Sequence, residues 1–472
     1  LTANTTGANN TAVGYAALDA TTTGSENTAV GSSALGANTT GYQNVAMGRF
    51  AGNLVTEGYE NTAIGYRSLS QCTTGDHNTA IGHDALESVT TGNYNTALGR
   101  DAGRNITTGG ANLCIGHNAA DAANHTGVCA IGQFALSSNE ADYNTSVGYE
   151  SLRTNTTGGS NTAVGKSALY ANTTGYDNTA VGLDALYANT TGAENVAVGK
   201  QSLDANTTGS ENVAVGKQSL DANTTGQVST AIGAYALSSQ TTGTQNTALG
   251  KSALYNLVDG GLNVACGESA GYHVTSGDNN TVIGRDAGAN ITSGSNNVCL
   301  GHEAGKNQLT NGNSKLYIAR ENTAGSNVQT WIYGDQYGRC YMGSNDASWH
   351  TTSDQRLKKD IVDNTKGLEI IDKIKVRNFK YKQYNEGSPV SSDDTVDISE
   401  FPNANNLNQV LIQQGVTGVQ LGCIAQELET VLPNAVKTGD KGVKTVVTDE
   451  LFWHMVNAIK ELSTKVTALE AG

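Results

Sequence analysis

Asn161-Thr162-Ala163-Val164-Gly165-Lys166-Ser167-Ala168-Leu169-Tyr170-Ala171-Asn172-Thr173-Thr174-Gly175-Tyr176-Asp177 is one unit of a repeat that fills most of this 472-residue chain. A glycine preceded by an apolar residue returns from Gly14 to Gly301 every 17 residues, apart from two steps of 16 to Gly132 and Gly148, and marks 18 units. The segments between glycines are too short for a helix and lack its spacing of three and four, whereas Thr162, Ala163 and Val164 alternate as a strand does. Each unit therefore reads as two short strands joined by glycine turns. Stacked units give a parallel β-solenoid.

An exchange between units argues for a packed core. Most units carry Leu four residues after the marker glycine, as at Leu18, Leu35 and Leu169. Among the units that carry Gly there, those with Gly52, Gly103, Gly271 and Gly288 gain Val55, Ile106, Val274 and Ile291 three residues later, where Asn or Thr is usual. Volume lost at one position returns at the other, as it must if both face the same interior. Asn four residues before the glycine (Asn27, Asn44, Asn61, Asn161, Asn297) is expected to align into a ladder of amide hydrogen bonds. Eighteen coils at about 4.8 Å predict a shaft of roughly 85 Å.

Composition agrees with a fibre. Only 37% of residues are hydrophobic and 6% aromatic, too few to fill ordinary cores over this length, while 57 glycines against 3 prolines suit repeated turns. Each unit offers about two sizeable apolar side chains for 17 ordered residues. That balance leads us to expect several chains to associate. The net charge of −15 excludes a phosphate-binding surface, so no nucleic-acid partner is expected. No apolar run is long enough to insert into a membrane, and no signal peptide opens the chain. The chain starts at Leu1 within a repeat, from which we expect that upstream sequence has been removed. The seven cysteines, Cys72 to Cys423, lack metal or redox spacing and read as small buried side chains. No cofactor and no metal site is expected.

The units resemble the left-handed parallel β-roll in head domains of trimeric autotransporter adhesins, whose repeats also centre on a small-apolar-Gly core such as Thr-Ala-Val-Gly. The resemblance implies a homotrimer.

Past Gly301 the period fails, and residues 311–350 become rich in Tyr, Trp and Ile, which we read as a β neck after a shaft over 1–310. From 351 to 472 charge and helix formers rise. Thr352-Ser353-Asp354-Gln355-Arg356-Leu357-Lys358-Lys359-Asp360-Ile361 strongly resembles the signature of the intramolecular chaperone, auto-processing domain known from phage endosialidase tail-spikes. Leu368–Ile371 with Phe379–Tyr381, Leu421–Glu429 with Leu432–Val436, and Ala458–Leu462 resemble the family's further motifs in the right order, and the polar stretch Ser388–Gln414 is an insertion. The final helix can be read without the family. Thr448 can cap it, Asp449 and Glu450 suit its positive end, and Phe452, Met455, Ile459, Leu462, Val466 and Leu469 form a heptad seam.

The family resemblance implies that Ser353 is a nucleophile, that Lys358 is its base, and that the chain cuts itself between Thr352 and Ser353. A serine hydroxyl needs a neighbour to take its proton. A lysine serves only when burial or nearby positive charge lowers its pKa, and Arg356 and Lys359 supply such charge. Asp354 would cap or orient. By spacing alone, Ser353 capping a helix beside solvated basic residues is the commoner arrangement; the further motifs favour the dyad. The whole then reads as a mostly β, fibrous trimer with a small α+β chaperone domain ending in a coiled-coil helix. Its expected place is the tail fibre of a virion, where it binds a host-surface receptor or glycan and loses the cleaved domain on maturation. The rival reading is a bacterial-type trimeric surface adhesin with a non-cleaving trimerisation domain.

Overall fold

The computed structural model describes residues 1–122, 124–306, 310–319, 330–334, 336, 340–342, 367–379, 420–422, 424–438, 444–446 and 448–470. The chain divides into two compact units, Leu1–Ala347 and Ser348–Gly472.

The first unit is a parallel β-solenoid. Strands β1 to β18, from Thr11–Val13 to Val298–Leu300, are three residues each, one per coil. Each pairs in parallel with the next, so that Thr162 lies over Thr179, Ala163 over Ala180 and Val164 over Val181. The middle residue of each strand points inward. Ala163 is fully buried with Ala168, Leu169 and Asn172, whereas Thr162 and Val164 face outward and are only half-buried.

Two expectations change. Each coil holds one regular strand, not two, because Ser167 (φ 54°) and Leu169 (φ 52°) are left-handed and break extended geometry. The rest of the coil still bonds to its neighbour: the Leu169 amide donates to the Ala185 carbonyl at 3.0 Å and Thr173 to Thr190 at 2.9 Å. The coil also buries one large apolar side chain rather than two, since the valine of Thr-Ala-Val lies outside. That sharpens the need for a partner.

The marker glycine is required by its backbone. Gly165 has φ +140°, and a Cβ there would strike the Gly182 carbonyl of the next coil. The Leu/Gly exchange has the same origin. Leu35 holds the left-handed conformation at φ 48°, an arrangement disfavoured for a branched side chain. Gly52 takes the equivalent place at φ 57°, with Leu35 Cδ2 only 3.0 Å from where its Cβ would be, and Val55 is fully buried in the same interior.

Two asparagine ladders run through the core. In the expected one, Asn178 Nδ2 donates to Asn161 Oδ1 at 3.1 Å and to the Gly192 carbonyl at 2.9 Å. The second, unforeseen, joins Asn155, Asn172, Asn189, Asn206 and Asn223, each amide also closing its own turn, as Asn189 does on Gly192 at 2.9 Å. Its signal was present in the recurring Asn-Thr-Thr-Gly.

At the end of the shaft β19 (Leu316–Ala319) adds to β18 in parallel, and Tyr317 lies in the alanine column over Cys299, 6% exposed. The large ring closes the core where no further coil follows. The chain then reverses: β20 (Thr330–Gly334) and β21 (Cys340–Met342) are antiparallel, which is why the 17-residue period stops.

The second unit contains α1 (Leu368–Ile371), β22 (Arg377–Phe379), β23 (Gln420–Gly422), α2 (Ala425–Glu429), a 3-10 turn at Pro433–Ala435, β24 (Val436–Thr438), β25 (Lys444–Val446) and α3 (Thr448–Glu470). β22 pairs antiparallel with β23, and β24 with β25.

Candidate functional site

The C-terminal unit is built on a small core. Leu428, Leu432, Ala435 and Val436 are buried, with Ile370, Ile374, Val446 and Leu451 packed against them. α1 docks on α3 at Gly367, where a Cβ would collide with the Ala458 amide nitrogen. Glu461 Oε2 accepts from the Leu368 amide at 3.3 Å, placing a carboxylate at the positive end of α1. A cleft is lined by Lys373, Lys375, Gln426, Glu427, Thr430 and Val431, where the Thr430 hydroxyl donates to the Glu427 carbonyl at 2.8 Å.

α3 presents two unlike faces. His454 and Ala458 turn inward. The seam read from the sequence lies outward: Phe452, Met455, Ile459, Leu462, Val466 and Leu469 are all exposed, Ile459 at 64%. Steps of three and four align these side chains along one stripe. Apolar side chains thus face water at every seam position.

The residues assigned to cleavage, Thr352, Ser353, Asp354, Arg356, Lys358 and Lys359, lie outside the described residues, as do the stretch Ser388–Gln414 and Cys423. Among the other cysteines, Cys72, Cys114 and Cys299 are buried. Burial pushes each of these three thiols up to about 12. Cys129 and Cys266 differ from expectation: they stand on outward strand positions and are only partly buried.

Two groups in the shaft bring carboxylates and histidines together, His83 with Asp84 and Asp101, and Asp286 with His302 and Glu303. Both are also ion-pair networks. Arg100 Nε lies 3.1 Å from Asp101, and Lys306 Nζ lies 2.7 Å from Glu303 and 3.3 Å from Asp286. The hydrogen bond from Lys306 lowers the Glu303 pKa and its counterpart raises that of Lys306, so side-chain cations already supply the positive charge.

The chain thus joins, in sequence, a parallel β-solenoid of repeats to a small α+β unit whose last helix carries an exposed apolar seam. Residues 353–437 match the family model described as chaperone of endosialidase, a self-cleaving chaperone family. With the solenoid, this match fits a tail fibre carrying an endosialidase-type chaperone domain. The matched segment ends at Lys437, before α3, so the reading of that helix rests on its own geometry. Neither curated proteins nor solved structures returned a match. Among the described residues, no helix is long and apolar enough to cross a membrane.

Proposed function

We propose that this chain is the shaft and folding domain of a homotrimeric viral tail fibre used for host attachment. The C-terminal domain gathers three chains through the α3 seam, sets their register, and then cuts the chain between Thr352 and Ser353. Ser353 attacks the Thr352 carbonyl while Lys358 takes the hydroxyl proton. Lys358 returns that proton to the Ser353 nitrogen as the Thr352–Ser353 C–N bond breaks, water hydrolyses the resulting ester to the Thr352 carboxylate and the Ser353 hydroxyl, and the shaft remains in the virion. Holding nucleophile and base in one domain supplies proximity for a single turnover. Removing the domain afterwards makes unfolding of the shaft a kinetic problem, since the element that set its register is gone.

The observation that carries this reading is the chaperone-of-endosialidase match following a β-solenoid of 18 repeat strands, and the matched segment begins at Ser353 itself. Intact mass under denaturing conditions, for wild type beside Ser353→Ala, tests it. Two wild-type fragments meeting at Thr352 and Ser353, with a full-length variant, are expected. A full-length wild type would instead favour the trimeric adhesin with a non-cleaving domain.

A further inference from the structure

The outward face of the strand ladder is unpartnered in the single chain, and its chemistry is unusual for a surface. It consists of the first and third residues of β1 to β18, which are Thr, Val, Ile, Leu, Met or Cys throughout, with no charged side chain in any of the eighteen strands. Val13 is 57% exposed, Leu98 48% and Leu249 47%. Three residues are about 10 Å wide, and eighteen coils about 85 Å long, so the face offers roughly 850 Å² per chain. A standard stable interface needs about 800 Å² per partner.

The two corners that bound this face are charged oppositely. Directly after the marker glycine, seven of eighteen positions are Lys or Arg, including Lys166, Lys200 and Lys217, and one is acidic, Glu268. On the other side, just before the ladder asparagine, five are acidic (Glu26, Glu60, Asp177, Glu194, Glu211) and none is Lys or Arg. Two coils carry both signs, Glu194 with Lys200 and Glu211 with Lys217, whereas the other acidic corners, Glu26, Glu60 and Asp177, stand with Ser32, Tyr66 and Leu183. The members of each pair are six steps of largely extended chain apart, on the order of 20 Å, so they cannot meet within one chain. Among the described residues, Lys200, Glu194, Lys217 and Glu211 make no ion pair, and Glu194, Lys200, Glu211 and Lys217 are exposed.

We propose that this face is the interface between copies of the chain along the whole shaft, with parallel chains in register and the basic corner of each against the acidic corner of the next. The copy number of three rests on the reading given under the proposed function. Parallel rotation about the shaft axis brings unlike corners together at every level, whereas an antiparallel pair would set basic against basic. In register, Lys200 of one chain meets Glu194 of the next and Lys217 meets Glu211, pairs too distant to form within one chain. The apolar stripe then closes the valines that the single coil leaves outside.

Charge reversal on the 472-residue chain carrying Ser353→Ala, followed by thermal melting and native mass, tests this. Lys200→Glu with Lys217→Glu is expected to lower the melting temperature of the trimer by several degrees at low salt, and less at high salt. Adding Glu194→Lys and Glu211→Lys to the same chain restores most of the loss, because the corner contacts of these two coils are again between opposite charges. A trimeric parent whose single-corner variant melts unchanged, or whose four-site variant melts no higher than the two-site variant, overturns the proposed interface and leaves the trimer standing. A monomeric parent overturns both.

Discussion

Asn178 and Asn161, one coil apart, are joined by a side-chain hydrogen bond of 3.1 Å inside the shaft. Asn178 also accepts from the backbone and the side chain of Asn195, at 3.0 and 3.1 Å, and donates to Gly192 at 2.9 Å. One buried side chain thus satisfies three coils. Asn178→Ala strips the Asn195 amide of its side-chain acceptor inside the stack, and is expected to cost about 3 kcal/mol, read as a lower denaturant midpoint with unchanged slope.

The Leu/Gly exchange predicts a rescue. Leu169→Gly removes a fully buried side chain and should destabilise by about 2–5 kcal/mol. Asn172→Ile alone breaks the second ladder and crowds Leu169. Combined, they recreate the pattern of Gly52 and Val55, so the double variant should be more stable than the sum of its parents' losses. Strict additivity in a double-mutant cycle would contradict the shared-volume account.

Cys72, Cys114 and Cys299 are expected to resist alkylation at pH 8 in the folded protein and to react once unfolded, because burial holds their thiols near 12. Labelling counted by peptide mass before and after denaturation checks this. Rapid native labelling of Cys114 would mean that the coil interior opens.

Asp204 and Asp221 sit one coil apart on the flank of the shaft. Burial first, and then the neighbouring carboxylates Asp221 and Asp184, raise Asp204 to about 6; burial raises Asp221 as well. A carboxyl with a folded pKa above its unfolded value binds more protons when folded. Its contribution therefore improves as pH falls from about 6 toward the usual carboxylate range, and is least favourable above about 6. Asp204→Asn should raise the melting temperature at pH 7.5 and lose that advantage at pH 4.5. An equal gain at both would rule out ionisation as the cause.

On α3, Ile459→Asp places a charge in the exposed seam without disturbing the buried side, where Ala458 and His454 lie. Loss of the trimer with retained helical content is the expected outcome, and size-exclusion with light scattering reads it.

Much of the shaft was legible because its physics is local and repeated. The 17-residue glycine period predicted one coil per unit, and the Leu/Gly exchange correctly identified two inward positions. Strand number was not legible, since Leu169 in a left-handed conformation contradicts its residue preference and is imposed by the packed stack. Nor was the outward direction of Val164: alternation tells which residues share a face, but not which face is the core. The helix α3 and the single stripe of its apolar side chains were legible because a period of three and four needs no tertiary context. Ser353 and Lys358 were assigned through a resemblance, since their spacing alone more commonly belongs to a helix cap beside solvated basic residues.

Native mass spectrometry of the 472-residue chain carrying Ser353→Ala, which keeps shaft and C-terminal domain together, tests the account most directly. Three chains in one particle are predicted. A monomer at micromolar concentration, folded by circular dichroism, would contradict it.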